Sequence, residues 1–142
     1  MDVFDKIISG EFSSKKVYED QDVLAILDLS QAEPGHTLVI PKKCMKNILE
    51  IDEETLIKCS KVVHMLCKKL NDKLNCDGFN ILNNCNEVAG QTVPHFHIHI
   101  IPRYNGDNSK LMFINDVDKT NATEANNEGK YNLDDILNKI IK

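Results

Sequence analysis

Three histidines alternate with large apolar residues between residues 92 and 103, and this stretch constrains the fold more than any other. It reads TVPHFHIHIIPR. Because successive side chains of a β-strand point to opposite faces, the pattern predicts a strand with imidazoles on one face and a core-facing apolar side on the other. The imidazoles are those of His95, His97 and His99, and the apolar residues are Phe96, Ile98 and Ile100.

The clustered imidazoles have three possible uses. They could be polar groups on a solvated strand face, although three of the five histidines of the chain lie within five residues. They could be metal ligands, since three imidazoles can fill a catalytic zinc site. They could also be catalytic, with one ring as the nucleophile and the others handling protons and charge. The pattern alone leaves the last two uses open.

Composition narrows the class of protein. A chain of 142 residues suits one domain, and its net charge of −5 argues against binding duplex nucleic acid. Arg103 is the single arginine, so a phosphate would be held by imidazole, hydroxyl and backbone N–H groups. The five cysteines show no CxxC spacing, and we find neither a signal peptide nor an apolar run of membrane-spanning length. We therefore expect a cytoplasmic protein with reduced thiols that does not enter a membrane.

Periodicity and turn signals predict an α+β domain. We predict a short helix over residues 3–9, strands at 16–20, 23–29 and 36–41, and a long amphipathic helix capped by Asp52. A fourth strand at 78–84 precedes the histidine strand. This order predicts an antiparallel five-stranded sheet with helices on one face and imidazoles directed away from them, towards solvent or a partner. We place the domain at residues 3–108, followed by a tail over 109–142 with a flexible segment and a short closing helix.

Four ordered segments resemble one known family. HFHIHII, the preceding AGQTV, PGHTLVIPK and the opening FDKII are similar to segments of the histidine triad (HIT) nucleotide hydrolases and transferases, in particular their Hint-like branch. The resemblance covers about residues 3–105. It implies the family fold, a homodimer whose sheet continues across the interface, a purine nucleotide substrate and no cofactor. It also implies nucleotidyl transfer to the middle histidine.

The resemblance gives roles to individual residues. His97 would be the nucleophile, with His95 and His99 beside it. His36 would be a fourth histidine, for which we expect a proton-donating role relayed through His95. The remaining implied contacts are Thr92, Asn84 and Gln91 near the phosphate or leaving group, Asp28 at the ribose, and Phe4, Ile7, Ile26 and Leu29 around the base.

The chain departs from the family pattern at one place. Some members hold a structural zinc with an N-terminal cysteine pair and histidines. Here Asp2 and Asp5 stand where that pair would be, and Cys44 stands where a histidine is common. Because this set is broken, we predict no structural zinc and no metal in the site. The complete triad also argues against the uridylyltransferase branch, whose members replace the third histidine.

The resemblance favours a hydrolase that acts on nucleoside 5′-phosphoramidates or related nucleoside phosphate conjugates. Two alternatives stay open beside it. One is a hydrolase of dinucleoside polyphosphates, and the other is a nucleotide-binding dimer that acts through partners with incidental turnover. A zinc hydrolase that uses the three triad histidines as ligands is a further possibility from the motif.

Overall fold

A computed structural model describes residues 1–107 and 131–142. Five antiparallel strands form one sheet in the order β1-β2-β3-β5-β4. The strands are β1 (Lys16–Glu19), β2 (Val23–Leu27), β3 (Thr37–Pro41), β4 (Gly78–Leu82) and β5 (Ile98–Arg103). The helices are α1 (Val3–Ile8), α2 (Glu53–Leu74) and α3 (Leu133–Ile141), with a 3₁₀ turn at Glu87–Ala89. The predicted α+β class and five-stranded antiparallel sheet are confirmed.

The long helix α2 covers one face of the sheet. Asp52 caps its start by accepting a hydrogen bond from the Thr55 N–H, and Asn75 ends it in the left-handed conformation at a φ of 52°. Its apolar stripe and two residues of α3 pack on the apolar side of the histidine segment. This core contains Cys59, Val62, Val63, Leu66 and Leu70 of α2, Ile136 and Ile140 of α3, and Phe96, Ile98 and Ile100. The alternation in the motif therefore serves the core as predicted.

The short helix α1 covers the opposite face, so the prediction of helices on one face only was wrong. Phe4 is buried in a second apolar cluster with Leu24, Ile26 and Leu38 of the sheet. Val3, Ile7 and Ile8 of the same helix pack against this cluster. Burial of the apolar side of α1 therefore places the helix on the sheet face opposite α2. As a result, the triad imidazoles do face away from α2, but they are buried beneath α1 instead of facing solvent.

The histidine strand is shorter than predicted, since β5 begins at Ile98. β3 pairs with β5 only between Thr37–Val39 and Ile98–Ile100. Pro94 offers no N–H to a ladder, and the Phe96 N–H bonds the Met45 carbonyl instead of β3. His95 and His97 thus lie on an irregular segment that leads into the strand.

The C-terminal residues contribute to the main core. α3 occupies the place of the predicted closing helix, and the Asn132 side chain caps it through the Asp135 N–H. The predicted flexible segment of the tail lies outside the described residues. Of the helices in the described ranges, none has the length and apolar character needed to cross a membrane.

Candidate active site

One backbone contact fixes the tautomer of the neutral His97 ring. Its Nδ1 lies 2.7 Å from the carbonyl oxygen of His95. A carbonyl oxygen only accepts, so Nδ1 carries the proton and the neutral ring has its lone pair on Nε2. The ring is 2% exposed, and the Phe4 ring stands edge-on to it with the centroids 4.9 Å apart. The lone pair of the neutral ring therefore lies on Nε2, the atom for which a nucleophilic role is predicted.

His36 and His99 form a hydrogen-bonded pair beside His97. The Ala32 N–H donates to Nδ1 of His36 at 3.2 Å, so the proton of a neutral His36 lies on Nε2. That Nε2 is 3.0 Å from Nδ1 of His99, which accepts from it and carries its own proton on its Nε2. The His99 and His97 ring centroids are 4.9 Å apart. β3 and β5 therefore bring the fourth histidine to the triad as predicted, but next to its third member.

A buried carboxylate lies against this pair. Asp28, at the end of β2, places Oδ2 3.5 Å from Nε2 of His36, while its Oδ1 accepts from the Ser30 N–H at 2.8 Å. Both side chains are fully buried, where a carboxylate stabilises an imidazolium strongly. The sequence predicted Asp28 only for ribose binding, because nothing in its spacing indicated that the β2–β3 connection returns it to His36.

Gln31 stabilises the connection between β2 and β3, and the sequence analysis did not predict this role. Its Nε2 donates to the carbonyls of Asp28 and His36, and its Oε1 accepts from the Gly35 N–H at 2.7 Å. Gly35 has a φ of +97°, a conformation that favours glycine. A glutamine three residues before a Pro-Gly turn was the signal available, but glutamine is usually exposed. Its complete burial shows that it supports the loop that presents His36.

His95 points away from the other histidines. Its Nε2 lies 2.8 Å from the Pro41 carbonyl, and its Nδ1 lies 3.2 Å from Oδ2 of Asp2 and 3.6 Å from Oδ1 of Asp5. The expected proton relay from His36 through His95 is therefore wrong, since both ring nitrogens of His95 have other neighbours. Within residues 1–107 and 131–142, the triad histidines also do not converge as a three-imidazole metal site.

Asn83, where β4 ends, holds the backbone of the nucleophile. Its Nδ2 donates to the His97 carbonyl at 2.9 Å. The last ladder pair of β4 joins Leu82 to His99, so this side chain continues the pairing where the backbone ladder has stopped. The family resemblance implies a role for the neighbouring Asn84 and none for Asn83, and a polar residue at a strand end usually signals only a turn.

We expect Asn83→Ala to lower kcat by about 2- to 10-fold with little change in KM. The lost hydrogen bond is worth about 0.5–1.5 kcal/mol, and its loss releases the backbone on which Nε2 of His97 is aimed. Steady-state kinetics would measure the effect. Asn71→Ala, an exposed asparagine of α2, is the matched control and should leave both parameters unchanged. An increase in KM alone would contradict a role in positioning the nucleophile.

The other predicted residues lie around this centre at different depths. Thr92 is exposed and lines a shallow cavity with Asp2, Asp5 and Cys44. Asn84 is buried. Gln91 is also buried, and its amide bonds the Lys46 and Val93 carbonyls and the Asn86 N–H. Of the predicted base pocket, Phe4 and Ile26 are buried, Ile7 is half-buried and Leu29 is 56% exposed.

Two carboxylates, Asp2 and Asp5, lie beside Cys44 and His95 at the edge of the site. Burial and the carboxylates of Asp5 and Asp2 raise the pKa of the Cys44 thiol. Burial would raise the pKa of Asp2, but the Asp5 N–H and interaction with His95 outweigh it and lower that pKa. Two groups of described residues bring possible metal-ligand atoms within 4.8 Å of one another. One is Asp2, Asp5, Cys44 and His95, and the other is Asp28, His36 and His99.

Comparison with known proteins gives consistent matches. The model of the HIT domain matches residues 9–106. An uncharacterised HIT-like protein of Methanocaldococcus jannaschii is 48% identical over 113 residues, 80% of this chain and 87% of that protein. The Arabidopsis thaliana adenylylsulfatase HINT3 is 38% identical over 105 residues, which are 74% of this chain and 53% of that protein. A crystal structure of a zinc-bound histidine triad family protein from Mycobacterium smegmatis has a TM-score of 0.74 at 32% identity and covers 83% of this chain and 93% of that one.

Proposed function

The chain belongs to the HIT domain family, and on this premise we propose that it hydrolyses nucleoside 5′-phosphoramidates or related nucleoside phosphate conjugates through a nucleotidyl-His97 intermediate. The observation that carries the proposal is the 2.7 Å contact between Nδ1 of His97 and the His95 carbonyl. It leaves the lone pair of the neutral ring on Nε2 without any need for a separate base. Imidazole is a good nucleophile near neutral pH, and its bond to phosphorus is broken readily by water.

The first half-reaction transfers the nucleotidyl group. Nε2 of His97 forms a bond to the α-phosphorus as the bond from phosphorus to the leaving amine breaks. The amine takes one proton from the His36–His99 pair, which enters the cycle with one proton more than its neutral form, and the buried Asp28 carboxylate stabilises that positive charge. Nδ1–H of His97 stays on the His95 carbonyl and keeps the ring oriented.

The second half-reaction regenerates the enzyme. Water attacks the α-phosphorus, the bond from phosphorus to Nε2 of His97 breaks, and the nucleoside monophosphate leaves. The proton lost by the attacking water returns to the His36–His99 pair. One displacement of a poor leaving group thereby becomes two easier displacements, and the proton count is balanced over the cycle.

Nucleotide binding follows the roles implied by the family resemblance. We propose that Thr92, Asn84 and Gln91 lie along the phosphate and leaving group. For the nucleoside we propose Asp28 at the ribose and an apolar wall for a purine base, made of Phe4, Ile7, Ile26 and Leu29. The packing of Phe4 against His97 supports this wall, since one side chain would touch both base and nucleophile. We further propose a cytoplasmic homodimer that joins through β4, one of the two outer strands of the described sheet, on which Ile81 is exposed.

The identity of the leaving group separates the candidate reactions. The relative from Arabidopsis thaliana is named an adenylylsulfatase, an activity in which the leaving group is sulfate. Dinucleoside polyphosphates would lose a nucleotide anion instead. The hydrogen-bonded pair backed by Asp28 favours an amine, because amines need a proton to leave whereas sulfate does not.

Two measurements test the proposal. Values of kcat/KM should be highest for adenosine 5′-phosphoramidate when it is compared with adenosine 5′-phosphosulfate and a diadenosine polyphosphate. Acid-sensitive nucleotidylation of His97 should be detected by mass spectrometry after rapid quenching. A protein that cleaves none of the three substrates and gives no nucleotidylated peptide would be a binding protein and not this hydrolase.

A further inference from the structure

We propose that Tyr104 is a positioning residue for the reaction, which holds the proton donor His36 in place through the turn that precedes it. This inference rests on the proposed function and adds to it a residue outside the histidines and the nucleotide contacts. Tyr104 directly follows β5, and its hydroxyl group donates to the carbonyl of Pro34 at 2.8 Å, across 70 positions of the sequence. The bond therefore joins the end of the histidine strand to the connection that carries the fourth histidine.

Glu33, Pro34, Gly35 and His36 form a β-turn directly before β3. The His36 N–H donates to the Glu33 carbonyl at 3.0 Å, and Gly35 has a φ of +97°. Proline at the second position and a glycine of positive φ at the third are the pattern of a type II turn. Turns of types I and II differ by a flip of the central peptide, here the one that joins Pro34 to Gly35. The orientation of that peptide thus determines the path of the backbone into His36.

Both polar groups of this central peptide are hydrogen-bonded to side chains. The Tyr104 hydroxyl donates to the Pro34 carbonyl, and the Gly35 N–H donates to Oε1 of the buried Gln31 at 2.7 Å. The following carbonyl, that of Gly35, accepts from the Thr37 hydroxyl at 2.8 Å. A flip of the central peptide would break the bonds to Tyr104 and Gln31 together. These two side chains therefore select the observed form of the turn.

Apolar neighbours confine the turn but do not orient its peptide. A Cβ added at Gly35 would overlap Cδ1 of Leu74 and lie 3.0 Å from Cγ of Pro102. Leu74 ends α2 and Pro102 belongs to β5, so the turn is packed between this helix and this strand. Packing limits how far the turn can move, whereas hydrogen bonds depend on direction and set the rotation of the peptide. Tyr104 supplies one of the two bonds that do so.

Tyr104 is itself held in place by an ion pair. Its backbone N–H donates to Oδ2 of Asp107 at 2.8 Å, and the Arg103 guanidinium donates to both oxygens of Asp107 at 3.1 and 2.6 Å. The same guanidinium donates to Oδ1 of Asn80 in β4 at 2.8 Å. A carboxylate bound by two guanidinium N–H groups has a fixed orientation. The Tyr104 hydroxyl therefore approaches Pro34 from a backbone that is already anchored to the sheet.

The Tyr104 hydroxyl stays a donor throughout the neutral pH range. Burial, together with the nearby Cys76 thiol and Glu33 carboxylate, raises the pKa of Tyr104 to about 12. Only the protonated phenol can donate, and it predominates below that value. The contribution of the hydroxyl group should therefore be constant between about pH 6 and 9, where histidine rings titrate but this phenol does not.

A shift of the turn would act on the proton donor and not on the nucleophile. Nδ1 of His36 accepts from the Ala32 N–H at 3.2 Å, the upper end of the usual range, and Nε2 bonds His99 at 3.0 Å. Movement of the turn would weaken these contacts first. The bond that sets the tautomer of His97 goes to the His95 carbonyl and does not involve the turn. Loss of the Tyr104 hydroxyl should thus affect the step that needs a proton.

Tyr104→Phe removes only the hydroxyl, and Tyr18→Phe is its matched control. Tyr18 is also half-buried, and its hydroxyl donates to Oδ2 of Asp20 at 2.7 Å, on a strand that two others separate from β5. Tyr104→Phe should lower kcat for adenosine 5′-phosphoramidate by about 2- to 10-fold, the equivalent of one neutral hydrogen bond. It should cleave the nitrophenyl ester of AMP, whose leaving anion needs no proton, within about 2-fold of the wild-type rate. Tyr18→Phe should leave both rates unchanged.

A double-mutant cycle shows whether Tyr104 acts through His36. In the His36→Gln background, Tyr104→Phe should cause no further loss of phosphoramidate cleavage, because the group that it positions is already absent. NMR of protein labelled with ¹⁵N in the histidine rings gives a readout that does not depend on turnover. The ring resonances of His36 and His99 should shift in Tyr104→Phe and stay in place in Tyr18→Phe.

The outcomes separate this inference from the proposed function. Equal losses on the two substrates, an additive loss in the cycle, or unchanged ring resonances in Tyr104→Phe would overturn the positioning role. A wild type that cleaves neither substrate would instead overturn the proposed hydrolysis. The ring resonances would then still decide whether Tyr104 holds the His36–His99 pair in place.

Discussion

We expect His97→Ala to lower kcat/KM for adenosine 5′-phosphoramidate by on the order of 10⁴-fold or more, since loss of a covalent nucleophile removes the reaction path and not just one contact. Strand pairing uses backbone groups, and β5 begins one residue after His97, so the ring itself takes no part in it. Its removal should therefore leave the sheet intact. The acid-sensitive nucleotidylated peptide seen with the wild type should be absent from this variant.

Two comparisons show whether the loss is chemical. His64→Ala replaces an exposed histidine of α2 and should retain full activity. Binding of a nucleoside monophosphate to His97→Ala, measured by calorimetry, should stay within a few fold of the wild type, because the proposed base and ribose contacts remain. Retention of more than a hundredth of the wild-type activity would mean that another group, or water directly, attacks the phosphorus.

The histidine segment shows how far alternation in a sequence can predict a structure. The order of polar and apolar residues was sufficient to place Phe96 and Ile98 in the core and the imidazoles on the other side. It was not sufficient to show where the strand starts, since that depends on Pro94 and on the bond from the Phe96 N–H to Met45. Periodicity reports which face a side chain takes, whereas pairing depends on distant partners.

The residues that support the site could not be predicted from the sequence, for a different reason. Asn83 and Gln31 act through bonds to backbone carbonyls, and a backbone carbonyl is present at every position of a sequence. Nothing in the spacing of residues says which one such a side chain will meet. The neighbour of His36 was misjudged in the same way, because the register of β3 on β5 pairs Leu38 with His99 and brings His36 to His99 instead of His95.

The contact between His36 and His99, which follows from the pairing of β3 with β5, leads to a second prediction. We expect His36→Gln to lower kcat/KM for adenosine 5′-phosphoramidate by about 10²–10⁴-fold, the usual contribution of a positioned proton donor. Glutamine keeps a polar group near His99 but cannot hold an exchangeable ring proton between Asp28 and that ring. The unfolding free energy should be measured in parallel, since His36 is fully buried and its loss also affects stability.

Dependence on the leaving group distinguishes a proton donor from a merely structural residue. The nitrophenyl ester of AMP releases a stable anion that needs no proton, so His36→Gln should cleave it within about 10-fold of the wild-type rate, whereas cleavage of the phosphoramidate collapses. His97→Ala should fail with both substrates, because both require the covalent intermediate. If His36→Gln lost the same factor on the two substrates, the His36–His99 hydrogen bond would be orienting the site without supplying a proton, and the leaving amine would have to be protonated by solvent.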